Sequence, residues 1–177
     1  VKFERRREQA EILVPPGFEP ESQEIERRLD PLTGAACIIN IRRAQRAKQA
    51  RQVPFDISDY IEQSRRGCFF CPGVIEERTP RFPPEIVAEG RMRRGETTLF
   101  PNLYPFARYH AVATLSREHY IEPGGFTSRM IADNLGLCLE WLRAVYRHDP
   151  KARYPIYLWN HMPPAGASII HPHVQVI

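Results

Sequence analysis

The segment His171-Pro172-His173-Val174-Gln175-Val176-Ile177 places two imidazoles and a carboxamide at alternate positions, with proline and valines between them. In an extended strand, alternate side chains point to one face. The segment is therefore read as a β-strand. One face is apolar and packs on a core, and the other carries His171, His173 and Gln175. A strand with only a structural task has no reason to line one face with that trio. A second feature, Cys68-Phe69-Phe70-Cys71, is a close pair of potential thiolate ligands. Together the two point to a metal-stabilised site for chemistry at phosphorus.

A chain of 177 residues, 42% of them hydrophobic, can bury the core of one domain with an extension. No apolar run approaches the length of a membrane span. The opening residues, Val1-Lys2-Phe3-Glu4-Arg5-Arg6-Arg7, lack a basic-then-apolar leader pattern. A cytoplasmic location without membrane association is expected. Four cysteines are too few for a disulfide-dense secreted scaffold. The net charge of +4 favours anionic partners. Its basic excess is local: Arg42, Arg43, Arg46, Lys48, Arg51, Arg65 and Arg66 face only Asp56, Asp59 and Glu62 over residues 42–66. A solvated surface accounts for it equally well. Basic and aromatic residues do not interleave as in a nucleic-acid groove, so no nucleic-acid partner is expected.

Residues 1–28 are charged, mixed in sign and broken by Pro15, Pro16 and Pro20, and they read as an extended or partly ordered arm. Residues 29–177 form the domain proper. Within it Asp30-Pro31-Leu32-Thr33-Gly34 is a turn, and strands are expected at 36–41, 97–100, 109–115 and 154–159 before the final one. Residues 42–66 read as irregular or partly helical. Thr127 or Ser128 caps a helix reaching about His148, with Ile131, Leu135, Cys138, Leu142 and Val145 as its buried stripe. This order predicts an α+β fold, an antiparallel sheet with the long helix on one face. The chain ends inside what the pattern makes a central strand, so it is expected to be the first part of a longer protein.

Cys68 and Cys71 suit a tetrahedral zinc site, and the remaining ligands must come from distant residues. His110, His119, His148, His161 and His171 are the candidates. His119 is well placed, after Ser116-Arg117-Glu118 at a strand end. A redox pair or two unrelated buried thiols would give the same Cys spacing. Cys37 and Cys138 lie in apolar stretches and read as core. On the final strand, a neutral imidazole can attack phosphorus without prior deprotonation, and a glutamine two residues on can donate to phosphoryl oxygens. A pair of histidines serving a metal alone is the other reading. The loop 160–168 holds Gly166 and Ser168, which could present N–H groups and a hydroxyl to phosphate or simply form a turn.

From about Arg28 onward the chain resembles the N-terminal half of the galactose-1-phosphate uridylyltransferase family, in the histidine-triad superfamily. The resemblance is carried by Arg28-Leu29-Asp30-Pro31-Leu32-Thr33-Gly34, Arg43-Ala44-Gln45-Arg46, Cys68-Phe69-Phe70-Cys71-Pro72-Gly73, Phe100-Pro101-Asn102, Ser116-Arg117-Glu118-His119, and Asn160, Gly166 and Ser168 spaced ahead of His171-Pro172-His173-Val174-Gln175. It implies a histidine-triad-like sheet and zinc held by Cys68, Cys71, His119 and His171. His173 would be the nucleophile, with Gln175 and Ser168 on the phosphates. Asn160 would orient the nucleophile or hold phosphate, and Asn102 would lie near the nucleoside. Gly166, Arg43 and Arg46 would complete the substrate site.

The implied reaction is ping-pong. A nucleotide sugar gives a nucleotidyl-histidine, and a hexose 1-phosphate then takes the nucleoside monophosphate, UMP by this resemblance. Family members carry a second, similar half and commonly form homodimers, so self-association is expected. Val174 stands where the family has Gly, and Ala47 where the Arg-Ala-Lys-Arg segment continues into Pro. The valine is expected to add bulk beside the nucleophile and alter substrate rather than abolish chemistry. Related enzymes with His-x-His-x-Gln handle adenine nucleotides. An adenylyl-transferring phosphorylase acting on ADP-glucose or a dinucleoside polyphosphate is therefore the alternative enzyme, and a hydrolase of the superfamily would have His in place of Gln175. A zinc-stabilised nucleotide-binding module without turnover is the non-catalytic alternative.

Overall fold

The computed structural model describes residues 4–46 and 57–177. Lys48, Arg51 and Ala47 lie outside the described residues. The fold is α+β, with two antiparallel sheets.

The smaller sheet has the order β1-β2-β3, with β1 at Glu4–Val14, β2 at Glu19–Leu29 and β3 at Ala36–Ile39. The described part of the arm expected over residues 1–28 thus forms, together with Leu29, a long hairpin. Mixed charge suggested disorder, but across two strands it is complementary: Arg5 pairs with Glu26 at 3.1 Å, and Arg7 with Glu24 and Glu26 at 3.6 Å. Ala10, Ile12 and Ile25 give the hairpin a buried side. The hairpin is tied to the rest of the fold by reciprocal backbone bonds between Leu13 and Arg81, at 2.9 and 3.0 Å.

The larger sheet has the order β4-β5-β6-β8-β7, comprising Met92–Arg94, Thr97–Pro101, Ala111–Thr114, His173–Val176 and Tyr157–Trp159 for β4, β5, β6, β8 and β7. The final strand is interior, paired with β6 on one side and β7 on the other. Three short helical elements matter to the site. They are a 3-10 turn at Ile41–Gln45, α1 at Ile57–Arg65 and α2 at Ile75–Arg78. The long helix α3, Ser128–His148, is capped by the Thr127 hydroxyl accepting from the Met130 N–H at 3.2 Å.

Helix α3 packs on β4, β5 and β6. Its buried residues are Asn134, Leu137, Cys138, Trp141 and Val145. The sequence stripe was rotated: Cys138 and Val145 lie inside and Leu142 packs at the margin, but Ile131 and Leu135 are 39% and 44% exposed. The displaced position is Asn134. Its polarity argues for the surface, yet its amide donates to the Thr114 carbonyl at 2.9 Å and accepts from the Tyr157 hydroxyl at 2.9 Å. A satisfied amide is tolerated in a core.

Strand alternation divides the sheet's residues between two cores. Leu99, Ala111, Ala113, Val174 and Val176 join the core under α3. Phe100 and Val112 join the opposite side, where Cys68, Phe70 and Ile75 cover them. His173 and Gln175 lie on that second side, one residue out of phase with Val174 and Val176.

Candidate functional site

The second face is covered by the Cys segment, which follows α1 directly. The Cys68 N–H donates to the Arg65 carbonyl at 3.2 Å, and the Val74 and Ile75 N–H groups return to the Cys71 carbonyl at 3.3 and 3.2 Å. This tight turn points both sulfurs inward. His119 arrives from the turn after β6, and His171 from the residue pair before β8. Ligand atoms of Cys68, Cys71, His119 and His171 all lie within 4.8 Å of one another.

Ring hydrogen bonds fix both histidine tautomers. The Ser64 hydroxyl donates to the Ile61 carbonyl at 2.7 Å, so the His119 Nε2–H donates to Ser64 Oγ, also at 2.7 Å. The His171 Nε2–H donates to the Ser116 carbonyl at 2.9 Å. Each Nδ1 lone pair is thereby left for the centre of the cluster. His119 Nδ1 lies 3.4 Å from Cys71 Sγ, and His171 Nδ1 lies 3.8 and 3.7 Å from the sulfurs of Cys68 and Cys71. A tetrahedral zinc with ordinary Zn–S and Zn–N lengths requires S···N edges of about 3.6 Å. The donor set fits zinc in chemistry and spacing.

Burial pushes the Cys68 thiol up to about 12 and the His171 imidazole down to about 4, and it also lowers His119. The histidines are thus neutral and ready to ligate, and the Cys68 thiol needs a cation to become a thiolate. Both cysteines are free, and the converging imidazoles favour a metal site over a redox pair. His110, His148 and His161 are elsewhere. His148 packs on Tyr109, and His161 lies among Tyr120, Phe126 and Trp159 with neither ring nitrogen bonded among the described residues.

Beside the metal cluster is a cleft. Phe69, Phe70, Phe100, Leu103 and Val112 form its apolar wall, and its polar lining includes Asn102, Ser168, His173 and Gln175. The His173 ring is half-buried edge-on to Phe70, with centroids 5.3 Å apart. Its Nδ1–H donates to the His171 carbonyl at 2.8 Å, which places the lone pair on Nε2. Desolvation lowers its pKa and favours the neutral ring.

Gln175 is oriented from behind. The Phe106 N–H donates to His110 Nδ1 at 2.9 Å, so His110 Nε2 carries the proton and donates to Gln175 Oε1 at 2.9 Å. The Asn102 amide donates to the same oxygen at 3.3 Å. With its oxygen occupied, Gln175 keeps its NH2 group for a ligand. His110 is buried and held neutral near 4 by desolvation, and it stacks on Phe106. Sequence reasoning weighed it only as a metal ligand, because its partner Gln175 is 65 residues away.

Arginines supply the cleft's charge. Arg43 rests 3.4 Å over the Phe106 ring and donates to the Tyr104 carbonyl. It is placed there by Asn40, whose side chain caps the 3-10 turn and bonds Gln23 at 3.0 Å and the Pro105 carbonyl at 2.9 Å. Arg46 also lines the cleft, as does Arg78 at the end of α2, which no sequence motif singled out.

The loop 160–168 differs from expectation. Gly166 takes a left-handed φ of 91°, which suits glycine, but its N–H is spent on the Pro163 carbonyl at 2.8 Å. Gly166 and Ser168 reach the cleft, whereas Asn160 is not among its lining residues and sits beside Gly166. Val174 is fully buried in the core under α3, so its bulk is not beside the His173 ring.

No known family model matches the chain. It is 34% identical over 181 aligned positions to an uncharacterized protein of Archaeoglobus fulgidus, covering all of this chain and 50% of that one. The chain thus spans about half the length of the curated relative it matches. Among solved structures, an ADP-glucose phosphorylase from Arabidopsis thaliana with bound ADP-glucose aligns with a TM-score of 0.45 and 23% identity, over 86% of this chain and 47% of that one. A hypothetical protein from Leishmania major aligns at 0.42 and 20%, over 53% of this chain and 68% of the other.

Proposed function

We propose that this chain is the nucleotidyl-transferring part of an enzyme resembling the galactose-1-phosphate uridylyltransferases. It moves a nucleoside monophosphate, UMP, from a nucleotide sugar to a hexose 1-phosphate. The observation that carries the proposal is the bond from His173 Nδ1–H to the His171 carbonyl at 2.8 Å, which leaves a neutral ring with its Nε2 lone pair free for attack.

In the first half-reaction Nε2 attacks the α-phosphorus. A P–N bond forms, the bond to the bridging oxygen breaks, and the sugar phosphate leaves with that electron pair. In the second, an oxygen of the incoming hexose 1-phosphate attacks the same phosphorus and the P–N bond breaks, returning the pair to Nε2. The Gln175 NH2 group and the Ser168 hydroxyl can donate to the phosphoryl oxygens as charge develops. Arg43, Arg46 and Arg78 offset the phosphates' charge, and the phenylalanine wall suits a nucleoside. Zinc held by Cys68, Cys71, His119 and His171 would have a closed ligand set, so it would supply rigidity at the start of β8 rather than Lewis acidity.

The test is intact-protein mass spectrometry after incubation with UDP-glucose, ADP-glucose or diadenosine tetraphosphate, with His173→Ala as control. A UMP adduct on the wild-type chain alone supports the proposal. An AMP adduct moves the protein to adenylyl transfer. The absence of any adduct, from this chain and from any longer form of the protein, refutes covalent transfer and leaves a binding module.

A further inference from the structure

Glu96 has no part in the site as described, yet it lies behind two of the four metal ligands. It occupies the second position of the two-residue turn Gly95-Glu96 between β4 and β5. Gly95 there has a φ of 55°, and an added Cβ would lie 2.6 Å from the Asp133 carboxylate on α3, so the turn is confined on both counts. Glu96 Oε2 accepts from the buried Ser116 hydroxyl at 2.6 Å and from the Arg117 N–H at 3.2 Å. Ser116 Oγ in turn accepts from the Glu118 N–H at 3.0 Å. The carbonyl of the same Ser116 receives the His171 Nε2–H, and the turn ends at His119.

We infer that Glu96 is a positioning residue for the metal centre. Its carboxylate holds the 116–118 turn in the one shape that both presents His119 and orients His171. A carboxylate suits the task because it offers acceptors only, and charge-assisted bonds are about twice as strong as neutral ones. Ser116 and Arg117 together hold the Glu96 carboxyl below its ordinary range, the Ser116 bond contributing most. The inference rests on the metal reading of the four ligands and is independent of nucleotidyl transfer.

The test uses the whole chain loaded with Zn2+ or Co2+, comparing wild type, Glu96→Ala, Glu96→Gln and Ser116→Ala. Zinc transfer to an excess chromogenic chelator gives the release rate, and the visible Co2+ spectrum reports ligand geometry. Loss of an outer partner commonly weakens a metal site by about 10–100-fold. Glu96→Ala and Ser116→Ala are therefore expected to release metal about tenfold faster or more, with an altered Co2+ spectrum. Glu96→Gln retains an acceptor oxygen and should remain within a few-fold of wild type. Glu96→Ala should lower the melting midpoint of the metal-free protein less than that of the metal-loaded protein. Release from Glu96→Ala at the wild-type rate overturns the inference, as does an equal loss of stability with and without metal. A wild-type chain that binds no metal overturns the metal centre and this inference with it, whereas failure to form a nucleotidyl adduct leaves it standing.

Discussion

Val174→Gly separates two readings of the residue between His173 and Gln175. If the valine crowded the nucleophile, glycine would change donor preference at little cost in stability. The structure places the side chain on the other face of β8, fully buried among core residues under α3 and opposite Ala113 in the register. Glycine there removes three carbons from a packed core, a transfer cost of about 2.4 kcal/mol at about 0.8 per methylene. Glycine in a strand adds about 0.5–1 kcal/mol, and incomplete collapse of the cavity adds to both. The expected loss is about 3–4 kcal/mol, and about 2 kcal/mol for Val174→Ala. In urea unfolding of the metal-loaded protein, Val174→Gly should lower the midpoint by about 1–2 M. Under native conditions the nucleotidyl adduct should still form on His173 with unchanged donor preference. A Val174→Gly protein as stable as wild type, or one with a switched donor, would refute the placement of this side chain.

The buried His110 gives a pH signature. Its folded pKa, pushed down to about 4, lies below the unfolded value, so the unfolded chain binds the proton first. Stability should therefore fall as pH drops from about 6.5 towards about 4, by up to about 3 kcal/mol, and His110→Phe should remove that part of the acid limb in unfolding curves. The same variant removes the shorter of the two bonds to Gln175 Oε1, leaving that from Asn102, and should slow adduct formation about tenfold or more, and an unchanged rate would count against the orienting role. With metal bound, a thiol reagent should rapidly modify only the exposed Cys37; chelation should add the half-buried Cys71 and leave the buried Cys68 and Cys138 slow. On α3, Leu135→Glu should change stability by no more than about 0.5 kcal/mol, whereas Asn134→Ala should cost about 1–3 kcal/mol by stranding the Thr114 carbonyl and the Tyr157 hydroxyl; equal effects in thermal melts would put the wrong face inward.

What could be read in advance depended on whether the deciding partner was local. The alternation in β8 is a property of consecutive residues, so its two faces were legible, and the Thr127 cap and the length of α3 were too. The facing of α3 was not, because Asn134 is made internal by partners on β6 and β7 that no helical period encodes. The N-terminal hairpin was misread for the same reason. Arg5 and Arg7 look solvated in isolation and become a ladder only when Glu24 and Glu26 lie opposite them. Spacing alone identified Cys68 and Cys71 as a pair but left five histidines in contention. The free ring nitrogens of His119 and His171 are selected by Ser64 and Ser116, each distant in sequence from the ring it fixes, whereas that of His110 is selected by Phe106 in the same loop.

The site's two halves therefore respond to different perturbations. The metal cluster is held by hydrogen bonds to ring nitrogens, through Ser64 on α1 and through Ser116 on the turn anchored by Glu96. The cleft is held through Gln175 Oε1, by His110 and Asn102. They meet at the carbonyl of His171, whose own ring faces the cysteines and whose backbone receives the His173 proton. A metal that fixes the His171 ring thus also fixes the acceptor that selects the tautomer of His173. Loss of metal should then slow adduct formation through the orientation of His173, with donor binding in the arginine-lined cleft less affected. Measuring donor affinity and adduct rate on the same chelated sample would separate the two, and equal losses in both would show that the cleft itself depends on the metal.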